Sequence, residues 1–222
     1  SIIKVAAYHR LFGYRIGRGV RIGLSVLACG DCEIGDRTRI GHLNFFHRIG
    51  ALRLGSDVVV GHCNLVIGGD EVRIDDRALI GRFNEINSIL DPVQSNPSNP
   101  RLLIGRGAVV TAWHKIDYTD LVEIGENTIV AGRHSSLWTH NRQQTKPVRI
   151  GRNCYVGSGI QMVPGSSVGD YCVVGLGSVI TKPLQAAWSL VAGVPARVMK
   201  PLDAESRAMV EFTTRPDLDD AP

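Results

Sequence analysis

The 222-residue sequence lacks three features that would each point to one class of protein. No apolar run approaches roughly 18 residues, so no membrane-spanning helix is predicted. The 25 Lys and Arg residues outnumber the 21 Asp and Glu residues by only four, too small and dispersed an excess to indicate a nucleic-acid partner. Charged residues make up 21% and hydrophobic residues 44%, and these ordinary values exclude wholesale disorder. The length fits one substantial domain with a real core.

Cysteine is also scarce, and its pattern does not suggest a disulfide framework. The five cysteines include a Cys-x-x-Cys at Cys29 and Cys32, but no second pair or ligand-spaced histidine follows it. The odd count, and an N-terminal segment too weakly basic to be a convincing signal peptide, favour a reducing cytoplasm. We therefore expect a cytoplasmic protein without a bound metal.

Glycine, by contrast, is abundant and its positions repeat. Most of the 25 glycines directly follow Ile, Leu or Val, and many of these pairs begin six residues apart, as at Ile16 and Ile22. A six-residue period fits neither the 3.6-residue period of an amphipathic helix nor a hairpin meander. It fits a coil of short strands, each ending in a turn where glycine tolerates a left-handed backbone.

Three such hexads make one 18-residue rung of a triangular coil. The rung starts lie 18, 20, 20, 30, 20, 26 and 18 residues apart, at Ile16, Ile34, Leu54, Ile74, Ile104, Ile124, Ile150 and Val168. We predict about eight rungs over residues 16–200, with loops near residues 82–103 and 135–147. Residues 1–15 are predicted to cap the coil, and residues 201–222 to form a helix, N-capped by Asp203, and a loose tail.

The same register predicts which side chains point inward. The position four residues after each start is small: Val20, Thr38, Val58, Ala78, Ala108, Thr128, Cys154 and Cys172. The matching position at the next corner holds Val26, Asn44, Asn64, Asn84, His114, His134, Ile160 and Ser178. We interpret this second column as an asparagine ladder continued by two histidines, because amides on strands about 4.8 Å apart can bond from rung to rung.

The repeats, the string GSVITKPL at residues 177–184 and the string AGVPARV at residues 192–198 resemble the hexapeptide-repeat acyltransferases. The similarity is greatest to sugar and polysaccharide O-acetyltransferases of the galactoside and maltose type. This resemblance, which covers about residues 16–200, implies an all-β fold, a left-handed parallel β-helix that assembles as a homotrimer. It also implies acetyl-CoA as the donor, a glycan or polysaccharide precursor as the acceptor, and an active site between subunits. The identity of the acceptor and the length of the acyl chain stay open.

Transfer of an acyl group to a hydroxyl needs a base near neutral pH, and histidine suits this task. His140 lies off the repeat register in the second predicted loop, a few residues before Ile150. The resemblance places the catalytic base in this loop, so His140 is the predicted general base. A backbone N–H near Ser158 or Gly159 is expected to stabilise the oxyanion. A covalent cysteine route is disfavoured because Cys154 and Cys172 point inward.

The donor needs cations and open strand edges for its phosphates and pantetheine arm. By the resemblance, contacts to the pantetheine and adenine come from Ser158, Gly159, Leu176 and Thr181. The phosphate contacts come from Lys182, Arg197 and Lys200.

The acceptor is expected to contact Trp113 and His114. Trp113 points outward by register, and the galactoside-type enzymes carry an asparagine at its position, so a more apolar groove is implied. His114 and His134 are either a satisfied core pair or functional; as imidazoles one rung apart, at least one should be neutral. His42 and His62 also lie one rung apart, on an outward face, and are interpreted as a surface pair.

Two other classes of function stay open. A γ-type carbonic anhydrase would need three histidines that converge on zinc, which an inward His134 does not favour. A non-catalytic scaffold or partner subunit would keep the coil and would not bind coenzyme A.

Overall fold

A computed structural model describes residues 2–89 and 98–212. Helix α1 (Ile2–Phe12) and helix α2 (Ala204–Ala208) flank a parallel β-solenoid of about eight turns. The strands are β1 (Arg15–Ile16), β2 (Arg21–Ile22), β3 (Val26–Ile34), β4 (Arg39–Ile40), β5 (Phe45–Leu54), β6 (Val59–Val60), β7 (Leu65–Ile67), β8 (Glu71–Ile74), β9 (Leu79–Arg82), β10 (Glu85–Asn87), β11 (Arg101–Ile104), β12 (Val109–Ala112), β13 (Lys115–Asp117), β14 (Val122–Ile124), β15 (Ile129–Val130), β16 (Ser136–Trp138), β17 (Val148–Ile150), β18 (Tyr155–Val156), β19 (Gln161–Met162), β20 (Ser167–Val168), β21 (Val173–Val174), β22 (Val179–Ile180), β23 (Pro183–Leu184), β24 (Ser189–Gly193) and β25 (Ala196–Pro201).

The strands stack into three faces. Face 1 holds β1, the second halves of β3 and β5, then β8, β11, β14, β17, β20 and β23. Face 2 holds β2, β4, β6, β9, β12, β15, β18, β21 and β24, and β25 turns back antiparallel to β24. Face 3 holds the first halves of β3 and β5, then β7, β10, β13, β16, β19 and β22. We call the corner between faces 1 and 2 the first corner, that between faces 2 and 3 the second, and that between faces 3 and 1 the third.

The corners explain the glycine-rich repeat. A Cβ on Gly41 would lie 2.2 Å from the carbonyl oxygen of Gly61 on the next rung, so no side chain fits there. Two residues later, most second corners have a left-handed residue, with φ of 58° at Leu43, 57° at Phe83 and 58° at Trp113. These left-handed residues carry their side chains outward, which leaves apolar groups exposed along this corner.

The predicted column of small residues is confirmed. All eight of its side chains, from Val20 to Cys172, are buried at the first corner. Cys154 and Cys172 stack on adjacent rungs, and their thiols donate to the carbonyls of Gly169 and Ala186 at 3.1 and 3.0 Å. The two thiols therefore belong to the packing of the coil.

The asparagine ladder is confirmed at the second corner. Asn64 Nδ2 donates to Asn44 Oδ1 at 2.9 Å, and Asn84 Nδ2 donates to Asn64 Oδ1 at 3.0 Å. Asn64 Nδ2 also donates to the carbonyl of Gly81 at 2.9 Å. Each amide thus satisfies the backbone of the next rung at a bend, where the strand ladder is interrupted.

Two positions of this column, the first and the sixth, differ from the prediction. Val26 is exposed and Ser25 is buried in its place, and His134 is exposed while Ser135 is buried. The corner from Ala131 to Ser135 has one residue more than the corner below it. The prediction assumed a fixed spacing and therefore assigned the inward position to His134, one residue before Ser135. His134 takes the outward, left-handed position above Trp113, with φ of 62°.

Both insertions leave the coil at the third corner. Strands β10 and β16 occupy the starts of the two predicted loop ranges, so the insertions are narrower than predicted and run over residues 88–100 and 139–147. Residues 90–97 of the larger loop lie outside the described residues, as does the predicted loose tail from Thr213. Asp203 caps α2 by accepting from the N–H of Ser206, but this helix ends at Ala208. No helix in residues 2–89 and 98–212 is long and apolar enough to cross a membrane.

The ladder generates a stability prediction. Asn64→Leu keeps the branched shape at Cγ but removes the donor to Gly81 and the acceptor for both nitrogens of Asn84. Each buried group left without a partner costs about 1–3 kcal/mol. We expect the free energy of unfolding in urea to fall by about 3 kcal/mol or more. Cys63→Ala, at the adjacent outward position, should change it by about 0.5 kcal/mol at most. Equal stability of the two variants would contradict the ladder's role.

Candidate active site

The loop between β16 and β17 is a short, internally bonded turn. His140 forms an isolated antiparallel bridge with Thr145, and the Asn141 side chain accepts from the N–H groups of Gln143 and Gln144 at 2.8 and 3.0 Å. Asparagine suits such turns because its side chain bonds to the backbone two residues on. These bonds hold His140 at the end of β16, on the third corner.

His140 contacts a carboxylate that the sequence did not single out. Its Nδ1 lies 2.7 Å from Oδ2 of Asp117, the last residue of β13 on the neighbouring rung. The oxygen lies off the N–H axis, so the contact is close without being an aligned hydrogen bond. Nδ1 is buried, whereas 16% of the His140 side chain is exposed. The two residues form an Asp–His pair in which the carboxylate can orient the imidazole.

The Asp117 side chain is 1% exposed, and its other oxygen is fully engaged. Oδ1 accepts from Thr139 Oγ1 at 2.8 Å and from the N–H of Thr119 at 3.0 Å. A buried carboxylate requires such partners because removing an unpaired charge from water is costly. With Oδ1 held in this way, Oδ2 faces His140. The sequence carries a weak signal for this residue, since Asp117 ends the face-3 strand directly below the one that leads to His140.

His114 occupies the inward column and continues the asparagine ladder. Its backbone N–H donates to Asn84 Oδ1 at 2.9 Å, and its ring Nδ1 accepts from the backbone N–H of Ser135 at 3.1 Å. Nε2 lies 3.0 Å from Thr111 Oγ1, which donates onward to the carbonyl of Gly132 at 2.7 Å. An accepting Nδ1 fixes the tautomer with the proton on Nε2. Both ring nitrogens are therefore engaged inside the coil.

The environment of His114 also sets its charge. Burial, together with the nearby charge of His134, lowers the pKa of His114 to about 4. The imidazole is therefore neutral at physiological pH, as expected for one member of this pair. With a residue exposure of 1%, His114 has the surroundings of a structural side chain.

Trp113 is 49% exposed at the second corner, where its ring stacks on Phe83 with centroids 4.4 Å apart. The predicted acceptor residue is thus accessible. It lies, however, before β13, whereas Asp117 is the last residue of that strand. Within one chain, Trp113 and His140 lie at opposite edges of face 3.

The predicted donor residues fall into three groups. Ser158, Gly159 and Leu176 lie at the second corner, where Leu176 is 81% exposed. Thr181 and Lys182 are exposed at the third corner, two rungs above His140. Arg197 and Lys200 are exposed on β25, and Lys200 Nζ is paired with Asp203 Oδ2 at 2.9 Å. One chain therefore does not bring these groups together around His140.

One expected contact is corrected by the structure. The N–H of Gly159 donates to the carbonyl of Arg133 at 2.9 Å inside the coil. This N–H is consequently not available to an oxyanion, and of the two predicted donors only Ser158 is left.

His42 and His62 lie on the outside of the coil, away from the Asp–His pair. His42 and His62 are exposed and stack with ring centroids 5.5 Å apart and an interplanar angle of 1°, which confirms the predicted surface pair. In the part of the chain that the structure describes, no group of three or more His, Cys, Asp or Glu side chains could hold a metal ion. A groove of about 910 Å³ runs along the first corner near His9, and none of the predicted site residues lines it.

Comparison with solved structures identifies the class of fold. The polySia-specific acetyltransferase NeuO superposes with a TM-score of 0.53 and 20% sequence identity, over 85% of this chain and 86% of that one. The chain therefore shares the fold of a β-helical acetyltransferase. No family model matches the chain.

Sequence comparison leads to particular relatives. The galactoside O-acetyltransferase of Escherichia coli K12 is 33% identical over 97 residues, which is 39% of this chain and 46% of that protein. A Mycobacterium tuberculosis protein named "Probable acetyltransferase" is 26% identical over 157 residues, which is 67% of this chain and 44% of that protein. The chain is thus similar to acetyltransferases, and it spans less than half the length of each of these two curated relatives.

The buried imidazole generates a pH prediction. The pKa of His114 is about 4 in the folded chain and near 6.5 in an unfolded chain, so the unfolded state binds more protons between these values. The stabilising contribution is present above pH 6.5 and is lost as the pH falls towards 4. Between pH 7 and pH 5 the wild type should lose about 2 kcal/mol more unfolding free energy than His114→Asn, which keeps the ladder without a titratable ring. Parallel urea curves for the two proteins at both pH values would contradict this assignment.

Proposed function

We propose that this chain is an O-acetyltransferase that moves an acetyl group from acetyl-CoA to a sugar hydroxyl, with His140 as general base. The observation that carries the proposal is the contact between His140 and the buried Asp117 at the corner where the coil is interrupted. The sequence similarity to a galactoside O-acetyltransferase supports the reaction type.

The Asp–His pair suits proton transfer. Asp117 faces Nδ1 of His140, which favours the tautomer with the proton on Nδ1 and leaves the lone pair of Nε2 to accept a proton. Once Nε2 is protonated, the imidazolium is stabilised by the adjacent carboxylate. Asp117 is a positioning residue in this scheme, because it acts through His140.

The transfer is direct. Nε2 of His140 takes the proton of the acceptor hydroxyl as its oxygen attacks the thioester carbonyl. A C–O bond forms, the C–S bond breaks in the collapse of the tetrahedral intermediate, and the departing thiolate takes the proton back from Nε2. The products are an acetyl ester and free coenzyme A. The buried Cys154 and Cys172 take no part in the reaction.

The donor is proposed to lie along the upper rungs. Ser158 and Leu176 would contact the pantetheine arm, and the exposed cations Lys182 and Arg197 would contact the phosphates, with Thr181, Gly159 and Lys200 beside them. The N–H of Ser158 would stabilise the oxyanion. These assignments rest on the resemblance of the strings at residues 177–184 and 192–198 to those of the acyltransferases.

The site is proposed to be completed by a second copy of the chain. His140 lies at the third corner, whereas Ser158, Leu176 and Trp113 lie at the second corner, across the width of face 3. Packing of the third corner of one copy against the second corner of the next would join the base to the donor. A homotrimer provides three such contacts by cyclic symmetry, and a monomer should be inactive.

A cytoplasmic location stays a prediction.

The test is release of coenzyme A from acetyl-CoA in the presence of a sugar panel, followed by thiol titration. His140→Ala should lower kcat by about 1,000-fold, since positioned bases contribute roughly 10²–10⁴-fold. Asp117→Asn should lower kcat by about 100-fold with a smaller change in the KM for acetyl-CoA. His9→Ala, an exposed histidine on α1 and away from the second and third corners, serves as the control and should stay within about twofold of the wild type.

Full activity of His140→Ala would refute the general-base role. Binding of coenzyme A without transfer to any acceptor would indicate that the donor site is correct and the proposed reaction is not.

A further inference from the structure

The outward surface of face 3 changes its chemistry halfway along the coil. The outward residue that opens each face-3 strand is apolar on the three lowest rungs, polar on the next four and apolar on the last: Val26, Phe45, Leu65, then Glu85, Lys115, Ser136 and Gln161, then Val179. The change falls at β10, the first strand from which a loop is inserted at the third corner. Polar groups therefore gather on the rungs of β10, β13, β16 and β19, which include those that carry the Asp–His pair and the two loops.

A second outward column stands beside the first. Asn87, Asp117 and Trp138 are in register on β10, β13 and β16, so their Cα atoms are about 4.8 Å apart from rung to rung. Trp138 is thus the direct neighbour of the carboxylate that contacts His140. Its side chain is exposed, at 38% for the residue. An accessible indole therefore lies beside the proposed base.

Lys115 links the two columns. Its Nζ donates to Asn87 Oδ1 at 2.5 Å and to Glu85 Oε1, and lies 5.8 Å from the centroid of the Trp138 ring. The Lys115 side chain is 23% exposed, whereas that of Glu85 is 57% exposed. We call Glu85, Asn87, Lys115 and Trp138 the face-3 cluster.

The charged groups of the face-3 cluster do not make a cationic site. Glu85 and Lys115 compensate each other, and the carboxylate of Asp117 lies in the column of Asn87 and Trp138. The ammonium group is already paired with the more exposed Glu85 carboxylate. An incoming anion would find the Lys115 ammonium group already paired with Glu85, and it would also approach the Asp117 carboxylate. Like charges brought together in this way cost free energy.

We infer that the face-3 cluster is the acceptor subsite and that it takes a neutral sugar ring in preference to an acidic one. This inference rests on the proposed function and names its substrate class. The apolar face of Trp138 would cover the C–H face of the ring, because a tryptophan ring provides a large apolar surface at one edge of a polar site. Glu85, Asn87 and Lys115 would bond the ring hydroxyls, and one hydroxyl would then lie at His140.

The first test compares two acceptors that differ in one group. Methyl β-D-glucopyranoside and methyl β-D-glucopyranosiduronate share their ring and stereochemistry, but the second carries a carboxylate at C5. Since the uronate also lacks the C6 hydroxyl, which could itself be the acceptor, the two glycosides are compared by their dissociation constants without donor. The neutral glycoside should bind about tenfold or more tightly than the uronate. Equal values, or a preference for the uronate, would overturn the inference.

The second test removes the aromatic ring. Trp138→Ala should raise the KM for the glucoside by about tenfold and leave the KM for acetyl-CoA unchanged. Phe45→Ala is the matched control, since Phe45 is 37% exposed on the apolar half of the same face. Gel filtration of both variants checks that assembly is retained. A Trp138→Ala enzyme with the acceptor KM of the control would contradict the assignment.

The third test reverses the charge preference. Glu85→Gln removes the carboxylate partner of Lys115, so the binding affinity for the uronate relative to that for the glucoside should rise by about fivefold or more. A ratio that does not move would show that this cluster does not contact the acceptor.

A binding measurement separates this inference from the proposed function. Saturation-transfer NMR with the glucoside and no donor should show binding to the wild type and weaker binding to Trp138→Ala. Binding with this dependence but no acetyl transfer would support the subsite and contradict the proposed reaction. Absence of glucoside binding, or binding that Trp138→Ala leaves unchanged, would overturn the subsite whatever the enzyme does with acetyl-CoA.

Discussion

Hydrogen bonding from rung to rung at the corners is the constraint on which the rest of the molecule depends. A coil built mostly of strands two to four residues long interrupts its own ladder at most bends, so inward side chains must bond the backbone groups left there. Asn44, Asn64, Asn84 and His114 do this at the second corner. Glycine at the same bends permits the close approach of successive rungs. Together they fix the register of every strand above them.

That register builds the site. Because strands stack in phase, one residue recurs at the same place on successive rungs, which brings Asn87, Asp117 and Trp138 into a single outward column. The third corner can accommodate insertions without disturbing the faces, and both loops leave the coil there. A rigid scaffold thus holds one carboxylate in place while a short bonded loop sets the imidazole against it. The chemistry depends on two residues that are 23 positions apart in the sequence.

The sequence predicted the coil, its small inward column and the ladder, because each follows from spacing alone. It failed where one residue is added within a corner: the count at fixed spacing placed His134 inside, and the structure has Ser135 there. His140 could be singled out because its loop breaks the period. Asp117 and Trp138 could not be singled out, because neither interrupts the repeat. Their proximity to His140 follows only from the strand register and from the fold of the loop. Residue spacing likewise could not predict that the N–H of Gly159 is occupied, because its partner, the carbonyl of Arg133, is set by three-dimensional packing.

The central claim is that His140 of one copy acts on an acceptor while the donor lies along the second corner of the neighbouring copy. The most direct measurement is a crystal structure with coenzyme A and methyl β-D-glucopyranoside bound. The account predicts that the sulfur and a sugar hydroxyl both lie near Nε2 of His140, with the reacting atoms about 3–3.5 Å apart, and that pantetheine lies along Ser158 and Leu176 of the adjacent chain. Coenzyme A bound away from every His140 side chain in the assembly would contradict it.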